Sequence, residues 1–517
     1  MFVRLPFSLV ALVADTHEGY CIRNPKGGEM SRSMRRNVFG GFVVVATMAL
    51  VLSACAPAAT PEPVIVKETQ VVKETQVVKE TVVVEPTAAP PKELYTVQVV
   101  YWPGPESDAM QKVMDFFNAN RSEQAGYKVE LVLFGRDQHW AKQEALMAAG
   151  SDEVDIFYAS SRQMAKYQPF FDPLDTYFAD PEVNIWAATP RFFMDAAIDG
   201  LTWFDGQLYA IPMDISVHFL YYRKDYIEEL LTNPEWQATY KEIAQAEMGM
   251  DLEAKDPDQW NWDDYTAASY FFTKAYNPDS PTEFGNFTHG KTMGPTAFLW
   301  SNCFWGFGGN WLTEDGTPDF ESEAAVKAQE YWTLFWEKGL TPPSSIIGEY
   351  PECNEALGTG QACLAVHWNA AFHTLDEAGT ETGGKFGLVA PPAGPESRTC
   401  YNHTLAMALS KFSSHKKEAA SWLAYCCTEE ALKMYAEAGG IPPAAPVLNA
   451  MGDERPDFPA MAKAVSAYGR SLNPYAGFYE AILCENLANA WSGELSIAES
   501  LAQAQADCVA EKEKRGL

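Results

Sequence analysis

The sequence predicts an α/β protein built as two lobes. Three observations carry this: a strand-helix-strand-helix-strand run between Leu94 and Ser160, a foldable stretch of 424 residues from Leu94 to Leu517, and a largely helical later chain. "LYTVQVVYW" reads as the first strand. "SDAMQKVMDFFNAN" places Met110, Val113, Met114 and Phe117 at i, i+3, i+4, i+7, with Ser107 as N-cap. "YKVELVLF" alternates Val129, Leu131 and Leu133 as a half-buried strand. "QHWAKQEALMAAG" is a helix stopped by Gly150, and "EVDIFYAS" a third strand. Such units make a parallel sheet, and parallel sheets bind ligands beyond the carboxyl ends of their strands. Those ends are Tyr101-Trp102, Gly135-Arg136 and Tyr158 to Ser160. Further on, "WNWDDYTAASYFFTKAY" is a helix capped by Asn261. "TEEALKMYAEAGGIPP" is one capped by Thr428 and stopped at Gly439-Gly440. One core seldom exceeds about 250–300 residues, so 424 residues call for two lobes.

Upstream of the folded part, Arg35-Arg36 precede 18 uncharged residues, Asn37 to Ala54, in the layout of a secretory signal over 34–54. That length also suits a membrane span. Leu52-Ser53-Ala54-Cys55 resembles a bacterial lipobox, which makes Cys55 the expected lipidation site and new N-terminus. Residues 1–33 have no leader-like order and read as an N-terminal extension from an upstream start. Residues 55–93 carry the repeated hexad V-V-K-E-T-Q between prolines. A period of six fits neither a heptad nor the 3.6-residue stripe, and adjacent valines would face opposite sides of a strand. The segment is expected to be a disordered tether.

Without residues 1–54 the chain has 32 Lys and Arg against 66 Asp and Glu, a net charge of −34. Such a surface repels phosphate backbones and excludes nucleic acid as a partner. Eight cysteines follow Cys55 and none forms a C-x-x-C pair, so zinc and redox motifs lack support. Cys353 and Cys363 are close enough in sequence to close a short disulfide loop, or the thiols are buried and free. H-E-x-x-H, G-x-S-x-G and phosphate-loop motifs are absent, which argues against an enzyme.

Seven stretches, in order, resemble the extracellular solute-binding proteins of ABC importers, family 1, the sugar-binding class. They are "FGRDQHWAKQEALMAAGSDEVDIFYASS", "FFDPLDTYFAD", "FDGQLYAIPMDISVHFLYYRKDYIEE", "DQWNWDDYTAAS", "GTGQACLAVHWNAA", "GKFGLVAPPAGP" and "WSGELSIAESLAQAQA". The acidic segment Asn233 to Gln259 and the many cysteines depart from the pattern. The resemblance implies a two-lobed periplasmic-binding-protein-like fold (type II), with the ligand held in a cleft by hinge closure. It assigns 94–212 plus about 389–428 to lobe 1 and 213–388 plus about 429–517 to lobe 2. The first crossover is expected near Pro212 to Val217 and the return near Val389 to Pro392. It implies a cofactor-free monomer, lipid-anchored outside the cytoplasm, that passes a small-molecule carbohydrate to the transmembrane subunits of an ABC permease.

A neutral sugar offers flat C–H faces to aromatic rings and hydroxyls to planar polar groups. The expected ligand contacts are therefore Trp102, Trp368, Phe478 and Tyr479 for stacking, and Ser160, Asp214, Ser216 and Asn369 for hydrogen bonds. The Gly439-Gly440 backbone, at Gly440 above all, is expected to approach the ligand closely. Trp300, Trp305, Trp332 and Trp336 are better read as core. Alternatives are a non-sugar solute (polyol, glycerol phosphate or peptide), a sensory role, or an exported carbohydrate-active enzyme with two carboxylates. A phosphate ligand would call on Arg136, Arg162 and Arg398.

Overall fold

A computed structural model describes residues 94–135, 138–190, 193–201, 206–376 and 381–517. The expected N-terminal extension, signal segment, lipidation site at Cys55 and tether lie outside the described residues, as does Arg136. Strand β1 (Tyr95–Tyr101) pairs in parallel with β2 (Tyr127–Leu133) from Tyr95↔Tyr127 to Tyr101↔Leu133, and with β3 (Ile156–Ser160). Helix α1 (Pro105–Asn120) crosses between β1 and β2 and buries Met110, Val113, Met114 and Phe117, the spacing read from the sequence. It starts three residues earlier than expected. Gly104 is the N-cap, and Ser107 works from inside the first turn, its Oγ accepting from Gly104 N at 3.0 Å and donating to Gly104 O at 2.9 Å. Helix α2 (His139–Ala149) ends at Gly150, whose φ of 62° favours glycine.

Strand β4 (Ala210–Arg223) links the two halves of the sheet, which also contains β5 (Phe284–Phe287), β6 (Ala362–Trp368), β7 (Phe386–Val389) and β8 (Cys400–Leu409). The order is β2-β1-β3-β8-β4-β6-β5, with β7 also on β4. The first half of β4 pairs with β8, itself antiparallel to β3; the second half pairs with β6 and β7. The chain thus crosses over within β4 and returns after Val389 into β8. Pro212 lacks an N–H for the ladder, and the register slips between Pro212 and Asp214.

Side chains on β4 alternate between two apolar cores. Phe219 and Tyr221 join the core shared with β1–β3 and α1, while Leu220 joins the helical core of the second lobe. In that second core the acidic insertion forms α3 (Pro234–Met248), which lays Tyr240 and Ala244 on α4 (Trp262–Phe271). Asn261 caps α4 in a reciprocal box with Asp264. Helix α5 (Gly294–Gly306) buries Trp300 and Trp305, as expected of core residues. Helices α6 (Tyr350–Gly358) and α7 (Ala371–Leu375) flank β6. Helix α8 (Glu429–Glu437), capped by Thr428, inserts Leu432, Tyr435 and Ala436 into the first core beside Phe117. Residues just past 428, the expected lobe boundary, thus pack on the core that holds β1–β3 and α1. All eight described cysteines are free and buried, Cys353 and Cys363 included. Among the described residues, no helix is long and apolar enough to cross a membrane.

Candidate functional site

A cavity of about 590 Å³ opens where β4 crosses between the lobes. Pro105, Glu106 and Asp108 enter it from the first turn of α1, Gly439 from the turn after α8. Asp214, Ile215 and Ser216 enter from β4. Tyr350, Asn369, His373, Thr374 and Arg455 complete the lining. Two smaller cavities of about 360 and 240 Å³ share Ala196, Asp199 and Gly469 and hold none of the crossover residues.

Asp214 is 6% exposed. Its Oδ2 accepts from Tyr435 Oη at 2.9 Å and from the Ile441 amide at 2.8 Å. Burial pushes its carboxyl well above the usual range, and the nearby charge of Glu106 pushes in the same direction. A carboxyl that keeps its proton can donate to a solute oxygen as well as accept. Gly440 does not line the cavity. A Cβ there would lie 2.1 Å from Tyr435 Cε1, so its bare backbone lets Tyr435 reach Asp214 rather than a ligand.

Asn369 lines the cavity, but its carboxamide is spent on the crossover strand. Nδ2 donates to Ile215 O at 3.0 Å, and Oδ1 accepts from Val217 N at 3.0 Å. It positions β4 beside the cavity. The adjacent Trp368 stands outside the lining. Its half-buried ring packs edge-on to His218 and His289 at centroid distances of 5.1 and 5.3 Å. Ser216 lines the cavity, so three of the nine expected contacts meet there: Asp214, Ser216 and Asn369.

The remaining expected residues are placed elsewhere. Trp102 packs on Tyr158, His139 and Trp140 at 4.5, 5.1 and 5.6 Å. Ser160 is fully buried and donates to Gln163 Oε1 at 3.1 Å. Phe478 lies under the Arg515 guanidinium, 4.0 Å from the ring centroid. Tyr479 is 1% exposed in the second-lobe core. Tyr350, Glu106, Asp108, His373, Thr374 and Arg455 line the cavity without having been singled out. Glu106 and Asp108 carry a signal in the sequence: they lie in the first turn of the helix that follows the first strand's carboxyl end. Tyr350 and His373 carry none.

Charge narrows what the site can hold. Among the described residues, the lining holds three carboxyl groups, Glu106, Asp108 and Asp214, and one guanidinium, Arg455. That guanidinium is already bidentate on Asp457, at 3.0 and 2.7 Å. Arg162 is paired with Glu480, and Arg398 donates to the carbonyls of Pro391 at 2.9 Å and Ala390 at 2.6 Å. Hydroxyl-rich neutral solutes suit such a lining, whereas an anion would meet repulsion without a spare cation among the described residues.

The chain resembles known proteins at three levels. Over 82 residues it is 33% identical to a Sinorhizobium fredii protein named as a periplasmic-binding protein of an amino-acid ABC transporter, covering 16% of this chain and 18% of that one. The chain spans less than two thirds of the length of the curated relatives it matches. Maltose-bound T. maritima MalE3 superposes with a TM-score of 0.61 at 17% identity, over 80% of this chain and 99% of that one. A ribitol complex of an Agrobacterium radiobacter ABC transporter solute-binding protein gives 0.61 at 16% identity, over 80% and 98%. These two show a shared fold, the two-lobed fold the resemblance implied. A family model for bacterial extracellular solute-binding proteins matches residues 112–463. That family works outside the cytoplasm and binds solutes rather than transforming them. By fold, by the cavity at its crossover and by this match, the chain belongs to the bacterial extracellular solute-binding protein family.

Proposed function

We propose that this protein captures a neutral, hydroxyl-rich solute, a sugar or oligosaccharide, in the crossover cavity and delivers it to an ABC permease. The observation that carries this reading is the cavity lining: among the described residues, three carboxyl groups, a serine and a threonine with a single, already paired arginine. Hinge closure would let the solute contact both lobes, and only contacts that differ between open and closed states can drive closure. Maltose in one neighbour and ribitol in another fit the same chemistry, and ribitol favours a polyol as the second reading. An amino-acid ligand would need a free cation for its carboxylate, which Arg455 does not supply. Lipidation at Cys55 would hold the binder at the membrane. The 38 residues from Ala56 to Glu93 would give it a reach of about 35 Å.

A thermal-shift screen of residues 94–517 against sugars, polyols, sugar phosphates, amino acids and peptides tests this. A ligand at 100 times its Kd adds about 2.7 kcal/mol of stability. Stabilisation by sugars or polyols is expected; a response confined to phosphates, amino acids or peptides would overturn the reading.

A further inference from the structure

Behind the cavity wall, His289, Cys353 and His367 converge from three segments: the loop after β5, helix α6 and strand β6. One donor atom of each lies within 4.8 Å of the others, and all three side chains are buried. Both ring nitrogens of His289 and Nδ1 of His367 have no hydrogen-bond partner among the described residues. His289 is 1% exposed and His367 fully buried. Unpaired buried polar atoms are costly, and three in one cluster point to a shared partner.

We propose that His289, His367 and Cys353 form a binding site for one d¹⁰ metal cation, zinc(II) or copper(I). The donor set is two imidazoles and a thiol with no carboxylate, which selects borderline or soft cations over calcium and magnesium. His367 is already oriented: its Nε2 lies 3.2 Å from Asn354 Oδ1. An N–H donated there leaves the Nδ1 lone pair for the metal, the outer-shell arrangement that fixes metal-bound histidines. Burial lowers the pKa of both imidazoles, and the neutral ring is the form that ligates. Burial raises the Cys353 thiol well above its usual value, so binding displaces its proton to solvent and forms the metal–sulfur bond from the thiolate. Donors on one tetrahedral ion stand about 3.3–3.8 Å apart, so the ion draws the three inward by up to about 1 Å. A space of about 10 Å³ beside His289 adjoins the cluster. Tyr350, which lines the solute cavity, lies 4.9 Å from the His367 ring, so one side-chain layer separates the two sites.

The intact protein, stripped with a chelator, is titrated with zinc(II), with cobalt(II) as a coloured substitute, and anaerobically with copper(I). One equivalent bound, a higher melting temperature and a thiolate-to-cobalt charge-transfer band that disappears in Cys353→Ala would support the site. X-ray absorption at the zinc or copper edge of the wild-type protein, showing one sulfur and two nitrogen neighbours, tests it without any variant and says which cation is preferred. Absence of stoichiometric binding, or a cobalt band that persists in Cys353→Ala, would overturn it. So would a metal edge showing only oxygen and nitrogen neighbours. In that outcome the cluster is a stacked, water-satisfied core. Solute binding is read separately, so failure here leaves the cavity reading untouched.

Discussion

Tyr435 Oη donates to Asp214 Oδ2 at 2.9 Å, joining residues 221 positions apart at the floor of the cavity. Burial first, and Glu106 second, hold the Asp214 carboxyl above its ordinary 3.8. A buried acid of this kind keeps its proton in the folded chain after the unfolded chain has lost it. Its contribution to stability is therefore fully present below about pH 4 and is lost as the pH rises toward the folded-state pKa. Asp214→Asn has no such proton to lose. Denaturant unfolding across pH 4–8 should show the stability of Asp214→Asn gaining on wild type as the pH rises. Parallel curves would mean that Asp214 is ionised in the fold.

Gly440→Ala tests the support behind that contact. The added methyl would lie 2.1 Å from Tyr435 Cε1, so the ring must move and its bond to Asp214 must lengthen or break. Overpacking of this sort costs about 1–3 kcal/mol. In a Tyr435→Ala background the clash is gone, and the same substitution should cost well under half as much. An equal cost in both backgrounds would place the glycine requirement in the backbone instead.

Trp368→Ala separates stacking on a solute from packing in the fold. The ring sits among His218, His289 and Tyr350 and outside the cavity lining. Its loss should destabilise the unliganded protein by about 2–4 kcal/mol, as for a large aromatic that is partly exposed, and so lower its melting temperature. Ser216→Ala and Asp108→Asn, in the lining itself, should leave the unliganded stability within about 0.5 kcal/mol and weaken solute binding. An unchanged unliganded melting temperature for Trp368→Ala would return that ring to the ligand.

The β1–α1–β2–α2–β3 unit was legible because periodicity is local: Met110 to Phe117 announce a buried helix face without reference to anything distant. The crossover was legible too, since "YAIPMDISV" resembles a family segment. The site was only partly so. Six segments meet at the cavity, around Glu106, Asp214, Tyr350, Asn369, Gly439 and Arg455, and nothing local says that Tyr350 will line the same cavity as Glu106. Asn369 lies in the cavity lining, but the bonds of its carboxamide to Ile215 and Val217 cannot be seen before β4 and β6 are paired. Trp368 closes β6, and which side its ring takes depends on three histidines from separate segments. Tyr479 and Phe478 follow a turn whose helix docks into the second core, which hides one ring and puts the other under Arg515.

Arg162 and Glu480 supply the last prediction. Arg162 follows β3 in the first lobe; Glu480 opens helix α9 (Glu480–Trp491) in the second, and they form an ion pair with side chains 16% and 21% exposed. The guanidinium also lies 5.4 Å from the Phe298 ring centroid, in the second-lobe core. The pair thus ties the lobes together away from the crossover strands. Removing one partner strands the other charge. That costs 3–5 kcal/mol for a fully buried pair and about 2–3 kcal/mol at this exposure. Arg162→Met should therefore destabilise more than Arg162→Met/Glu480→Leu, in which no charge is left unpaired. Both variants should populate a more open arrangement, seen as a larger radius of gyration by solution scattering without solute. Solute should bind them more weakly, because it must then hold the lobes together alone. A radius identical to wild type, with unchanged affinity, would show that the crossover strands hold the lobes without this pair.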